Sequence, residues 1–124
     1  MLYLDTHAVV YLYADGLDNF SKKGKKLLEE ESLIISAMVV LELDYLFEIE
    51  RLLVPSDKIL KALKVNLGLL VCDLPLSKIV SHASKLTWTR DPFDRIIVGN
   101  AMHHQQPLLT KDKSILKHYE LAVW

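Results

Sequence analysis

Five short apolar runs punctuate the chain, at Met1–Leu4, Leu33–Ser36, Leu69–Cys72, Leu108–Thr110 and Leu121–Trp124. Each has the length of a buried strand rather than of a core helix. Longer segments with helical spacing lie between them. Ala37–Glu50 carries Val40, Leu41, Leu43, Leu46 and Phe47, a broad apolar helical face. Ser56–Asn66 places Ile59, Leu60 and Leu63 at helical spacing, continued by Leu67. Pro75–Leu86 and Pro92–His104 each begin with a proline near the first helical turn, where its missing N–H costs nothing. Buried strands alternating with helices predict an α/β domain around a mostly parallel sheet.

In such sheets ligands bind outside the carboxyl ends of the strands, and several carboxylates fall there. Asp5 ends the first strand, and Asp112 follows the Leu108–Thr110 strand. Glu42 lies nearly two turns into the helix after Ser36, amid apolar neighbours, and Asp94 is in the first turn of the Pro92 helix. Four distant segments are thus expected to converge on one rim. Unpaired carboxylates so placed either take up protons or bind a cation. Their hard oxygen donors suit Mg2+ or Mn2+, which can orient and activate water against a phosphodiester. Each acid also has a plainer role open to it, Asp5 and Asp112 as helix caps and Glu42 as a solvated helix position. In D-P-F-D, Asp91 reads first as the N-cap of a helix starting at Pro92.

Neighbouring side chains are candidates for support. The Thr6 and Thr110 hydroxyls adjoin Asp5 and Asp112 and can orient a carboxylate or bind phosphate. Arg95 suits a phosphate, or more simply a nearby acid. Trp88 and Arg90 precede Asp91, and Trp88 fits packing or a protein partner better than RNA. The lysines at 22, 23, 25 and 26, followed by Glu29, Glu30 and Glu31, oppose the macrodipole if they form one helix. They read first as a solvated face, with RNA binding as the alternative.

Composition narrows the field. The 124 residues are the size of one domain, residues 1–124, yet 51% are hydrophobic and mean hydropathy is +0.19. So small a domain leaves apolar surface for a subunit or partner interface. Net charge is −1, which does not suggest a nucleic-acid binder. Setting the four site carboxylates aside leaves 15 basic against 12 acidic residues, a surface that attracts phosphate once cations neutralise the site. The single cysteine, Cys72, forms no intrachain disulfide and reads as a buried thiol. No apolar stretch approaches the roughly 20 residues a bilayer needs, and no signal peptide is evident, so a cytoplasmic location is expected. No His/Cys set has zinc-ligand spacing, and His7, His82, His103, His104 and His118 are scattered or adjacent.

The segments L-D-T-H at 4–7, S-A-M-V-V-L-E-L at 36–43, R-D-P-F-D-R-I-I-V at 90–98 and L-L-T-K-D at 108–112 resemble the motif blocks of the PIN-domain family. Within that family they most resemble VapC-type toxins of bacterial and archaeal toxin–antitoxin pairs, in order and spacing along the whole chain. The family's four acids fall on Asp5, Glu42, Asp94 and Asp112. The resemblance implies a three-layer α/β/α sandwich, Mg2+ or Mn2+, endonucleolytic cleavage of single-stranded or structured RNA, homodimerisation, and inhibition by a cognate VapB-like antitoxin. His7 departs from it, since many members carry Asn there. Rival readings are a receiver-like phosphoacceptor domain using Asp73 and Lys111, a dehalogenase-like phosphatase, and a catalytically inactive PIN-like RNA-binding module. The first lacks adjacent acids after the first strand, and the second needs an acid where His7 stands.

Overall fold

The computed structural model describes residues 1–124. Five strands form one sheet: β1 (Leu2–Leu4), β2 (Leu33–Ile35), β3 (Leu70–Val71), β4 (Leu108–Leu109) and β5 (Ala122–Val123). Every pairing is parallel, and the order across the sheet is β3-β2-β1-β4-β5. Seven helices connect them: α1 (Thr6–Asp15), α2 (Lys22–Glu30), α3 (Ala37–Glu48), α4 (Ser56–Leu67), α5 (Leu76–Ala83), α6 (Pro92–His103) and α7 (Lys113–His118).

Strand alternation sends Leu2, Leu4, Leu33, Ile35 and Leu109 to one face of the sheet and Tyr3, Ile34 and Leu108 to the other. Helices α1, α2 and α4 gather around Leu33 on the first face. Helix α6 covers the second, where Asn100 Nδ2 and His104 Nδ1 lie 3.3 and 2.7 Å from the Tyr3 hydroxyl. This is the three-layer arrangement, as right-handed crossovers require when the chain winds one way from β1 to β3 and the other way from β3 to β5. Helix α3 touches helices of both layers, α1 and α4 on one side and α6 on the other.

A buried polar cluster ties α6 to the sheet. Asn100 Nδ2 donates to Tyr3 Oη and to Cys72 Sγ, each at 3.3 Å. Burial, with Cys72 alongside, pushes the Tyr3 hydroxyl well above its usual range. Cys72 is therefore the buried thiol expected of it.

The elements differ from the sequence expectations at both sheet edges and in α5; at one edge the run Leu121–Trp124 gives β5, whose Ala122 and Val123 are only partly buried. The run Leu69–Cys72 does not form a strand buried on both faces. Strand β3 is the sheet's edge, and its two residues Leu70 and Val71 are about half exposed, while Leu69 and Cys72 are buried. The α5 segment is also shorter than Pro75–Leu86. Pro75 occupies the cap, and after Ala83 the chain tightens, with Lys85 N and Leu86 N bonding back only three residues. Helices α1 and α2 are not delimited by the apolar pattern, α1 because it is apolar on most sides and α2 because it is mostly charged.

Helices α5 and α6 approach most closely at Gly99. A Cβ there would stand 3.1 Å from Ala83 N and 3.2 Å from Ile79 O, both backbone atoms of α5. Alanine is the better helix former by about 1 kcal/mol, but overpacking against immobile backbone costs about 1–3 kcal/mol. Gly99→Ala is therefore expected to lower stability by roughly 1 kcal/mol, read as a reduced midpoint in urea unfolding. A stabilised variant would show that the two helices part freely.

Candidate active site

The order β3-β2-β1-β4-β5 places the reversal of winding between β1 and β4, the point where open parallel sheets offer a crevice at their carboxyl ends. A cleft of about 350 Å³ opens there, lined by Asp5, His7, Tyr11, Glu42, Asp91, Asp94, Lys111 and Asp112. All four carboxylates singled out in the sequence line it, with Asp91 as a fifth.

Each acid is delivered by a different local device. Asp5 follows β1 and caps α1, its Oδ1 accepting from Thr6 N at 2.8 Å. Its Oδ2 accepts from the Thr110 hydroxyl at 2.6 Å, a bond that spans β1 and β4. Thr110 Oγ1 in turn accepts from Asp112 N at 3.1 Å, and Asp112 Oδ1 caps α7 through Ile115 N at 2.9 Å. Glu42 stands on α3, whose start Ser36 caps through Met38 N, and its Oε1 accepts from the Thr6 hydroxyl. The threonines thus orient carboxylates and are themselves fully buried. Asp91 is the N-cap of α6, accepting from Phe93 N at 2.8 Å and Asp94 N at 3.3 Å, with Pro92 beginning the helix. Asp94, one turn into that helix, has no side-chain hydrogen bond.

The electrostatics follow from crowding. Burial raises the Asp5 pKa, opposed by the Thr110 hydroxyl, the Thr6 amide and His7. Burial likewise raises Glu42, opposed first by the Thr6 hydroxyl. Asp94 lacks such help. Burial, then the charges of Asp91, Asp5, Asp112 and Glu42, push it up to about 7. No basic side chain forms an ion pair with any of the five, since the chain's sole salt bridge joins the Met1 ammonium to Glu31.

These donors suit a hard divalent cation better than any other group. They are all oxygen, they are mutually repelling, and Asp94 is left without a partner. No three of them surround one point closely enough to hold an ion unaided.

Other candidates lie elsewhere. Arg95 does not line the cleft. Its guanidinium donates to Ala83 O and Ser84 O at 3.2 and 3.3 Å, and so caps the C-terminus of α5 rather than pairing an acid. Trp88 stacks flat on His118 at 4.9 Å. Asp73 is exposed beyond edge strand β3, outside the cleft. Two lining residues escaped the sequence reading in this role. Tyr11 lies one helical turn after His7 on the helix that Asp5 caps, a spacing that could have flagged it. Lys111 adjoins Asp112, and in the sequence it stands out only as the lysine a receiver-like site would use.

Residues 2–121 match the family model of the PIN domain. The chain belongs to the PIN-domain family. Among solved structures this PIN domain is similar to VapBC2 of Rickettsia felis bound to a DNA fragment from its promoter, with a TM-score of 0.69 and 20% identity over 100% of this chain and 98% of that one. It is also similar to a toxin–antitoxin complex from Klebsiella pneumoniae, with a TM-score of 0.67 and 16% identity over 100% and 97% of the two chains. At such identities the likeness is one of fold. No curated protein matches the chain. No helix of the PIN domain is long and apolar enough to cross a membrane.

The raised acids set a pH dependence with a definite sign. A folded Asp94 near 7 holds its proton where the unfolded residue, near 3.8, has lost it. The native state then binds more protons, so this group's contribution to metal-free stability falls as pH rises from about 4 to 7 and levels off above. Thermal melts in EDTA should show Asp94→Asn gaining on the parent across that window. Asp91→Asn should gain likewise, because it keeps an oxygen for the cap while removing a charge. Asp91→Ala loses the cap, worth about 1 kcal/mol, and should gain less. A parent–Asp94→Asn difference that is flat with pH would refute the crowding argument.

Proposed function

We propose that this PIN domain, acting as one unit over residues 1–124, is a Mg2+- or Mn2+-dependent endoribonuclease, and that it is the cytoplasmic toxin of a toxin–antitoxin pair. The observation that carries the catalytic reading is the convergence of Asp5, Glu42, Asp94 and Asp112 on one cleft with no cationic side chain paired to them. In this reading these four hold the cation. Bound there, it supplies Lewis acidity to a phosphodiester and acidifies water at the site. The protein's own part is positional. The hydroxyls of Thr110 and Thr6 fix the Asp5 and Glu42 carboxylates from behind. Asp91 holds the first turn of α6 so that Asp94 faces the cleft. His7, at the mouth, offsets part of the negative charge on Asp5 and Glu42.

Family membership supports the nuclease reading, and the two toxin–antitoxin complexes support the toxin reading through a shared fold. The receiver-like alternative loses ground on topology. Receivers order their strands 2-1-3-4-5, whereas β3 here is at the edge, and its Asp73 is remote from the cleft. Against an inactive PIN-like binding module stands the intact acidic set in the cleft, and the metal-dependence assay separates the two.

The partners follow from surface. Leu41, Tyr45 and Ile49 form an exposed stripe along α3 and its end, and Leu76 on α5 is 59% exposed. Leu41 and Leu76 share an apolar groove of about 240 Å³ between α3, α5 and α6. This is surface for a second copy of the chain and for a VapB-like antitoxin.

Purified protein should cleave total RNA in Mg2+ or Mn2+ and stop in EDTA, and Asp5→Asn should be inactive. Cleavage that persists in EDTA would overturn the metal reading, and its absence with either ion would overturn the nuclease reading. Light scattering should give a dimer at micromolar concentration. Expression should slow growth for the parent and not for Asp5→Asn, and a harmless parent would count against the toxin role.

A further inference from the structure

One lysine lines the acid cleft. Lys111 stands among five carboxylates and forms a salt bridge with none of them. Its ammonium lies instead over two aromatic rings, 5.5 Å from the centroid of Tyr11 and 5.6 Å from that of Trp124. The backbone holds it there. Thr110, tied to Asp5 and to Asp112 N, points inward, so the next side chain along the strand end turns away from it. Thr110 N also donates to Val123 O at 2.9 Å, which brings Trp124 alongside.

The positive charge continues beyond Trp124. The Ser21 hydroxyl, N-cap of α2, donates to Trp124 O. A Cβ on Gly24 would stand 3.1 Å from the Trp124 carbonyl carbon, so the first turns of α2 lie directly against this residue. Those turns expose Lys22, Lys23, Lys25 and Lys26, none of them in an ion pair. Cations at a helix N-terminus oppose the macrodipole, although Glu29 and Glu30 stand one turn beyond Lys25 and Lys26 on the same helix. Gly24 faces Trp124, so Lys22 and Lys26 stand on the outer side of α2 and Lys23 and Lys25 on its flanks, while Lys111 stands at the lip of the cleft. A cation–π contact at an exposed site is weak beside a charge-assisted bond to phosphate, so Lys111 is free to exchange one for the other.

We propose that Lys111 and the α2 lysines form the entry track for single-stranded RNA, Lys111 holding a backbone phosphate beside the carboxylates. The proposal rests on the nuclease reading above for the identity of the strand. The charge pattern itself calls for a polyanion with phosphates spaced along an extended chain.

The test uses a fluorescein-labelled 12-nucleotide RNA of mixed sequence. Binding is followed by anisotropy over a range of salt concentrations in an Asp94→Asn background with Mg2+, and steady-state cleavage is followed in the Asp94 parent. Lys111→Gln should weaken binding about tenfold and reduce the slope of log affinity against log salt by about 0.7, the loss expected for one phosphate contact on a single strand. KM should rise in step while kcat stays within about twofold, and Lys111→Arg should recover most of the affinity. The quadruple change of Lys22, Lys23, Lys25 and Lys26 to Gln should flatten the slope further. Melting temperatures should fall by only about 5 °C or less with Lys111→Gln, since its exposed cation–π contacts are weak, which separates phosphate binding from a structural role. A parent that does not bind the probe overturns the track, as does a Lys111→Gln variant with unchanged slope and KM, including one that binds an acidic protein partner less well. If the parent binds with salt-sensitive affinity lost in Lys111→Gln, yet never cleaves with Mg2+ or Mn2+, the nuclease reading fails and the track stands.

Discussion

Like-charge repulsion at the carboxyl rim of the sheet is the constraint to which the fold around the cleft answers. Five acids share the space, and none of them is in an ion pair with a basic side chain. Neutral donors do the holding: two threonine hydroxyls and the backbone amides at the starts of α1, α6 and α7. Three of the five acids are helix caps, so the same bonds that begin the helices aim the charges. A helix start is favourable ground for an anion. Asp94 alone has no hydrogen-bond donor facing it, and it departs far from an ordinary carboxylate.

The rim holds its shape because the layers beneath it are tied together at specific points. The Thr110–Asp5 bond links the ends of β1 and β4, and the Tyr3–Asn100–Cys72 cluster fixes α6 against the sheet's second face. Asn100 Oδ1 is buried without a partner, so the cluster is fastened from the amide's nitrogen side alone. The α5 backbone at Ile79 and Ala83 presses on Gly99 from the other side. Asp94 is thus referred to Asp5 through packed atoms, although 89 residues separate them in the chain.

Much of this was legible from the sequence, for physical reasons that also mark where legibility ends. Strand runs buried on both faces, such as Leu2–Leu4 and Leu33–Ile35, announce a parallel sheet, and the residues just past them announce its functional rim. Asp91 as cap and Asp94 one turn inward follow from the proline between them. What was not legible depends on neighbours in space. Arg95 looks like a ligand for an anion until the end of α5 is seen to offer the Ala83 and Ser84 carbonyls within its reach. Leu70 and Val71 read as core because composition cannot tell a central strand from an edge. That Lys111 lies over Tyr11 and Trp124 depends on β5 pairing beside β4, which the sequence does not show.

That edge strand bears on how the molecule can associate. Strands β3 and β5 close the sheet at either side with only two residues apiece. A row of unpaired amides and carbonyls so brief gives a foreign strand little to zip onto, which is one way natural sheets avoid indefinite growth. The half-exposed side chains of Leu70 and Val71 still favour company, but through their flanks rather than their backbone. Assembly at this margin would then be decided by shape, with self-limiting partners admitted and fibril-like stacking refused.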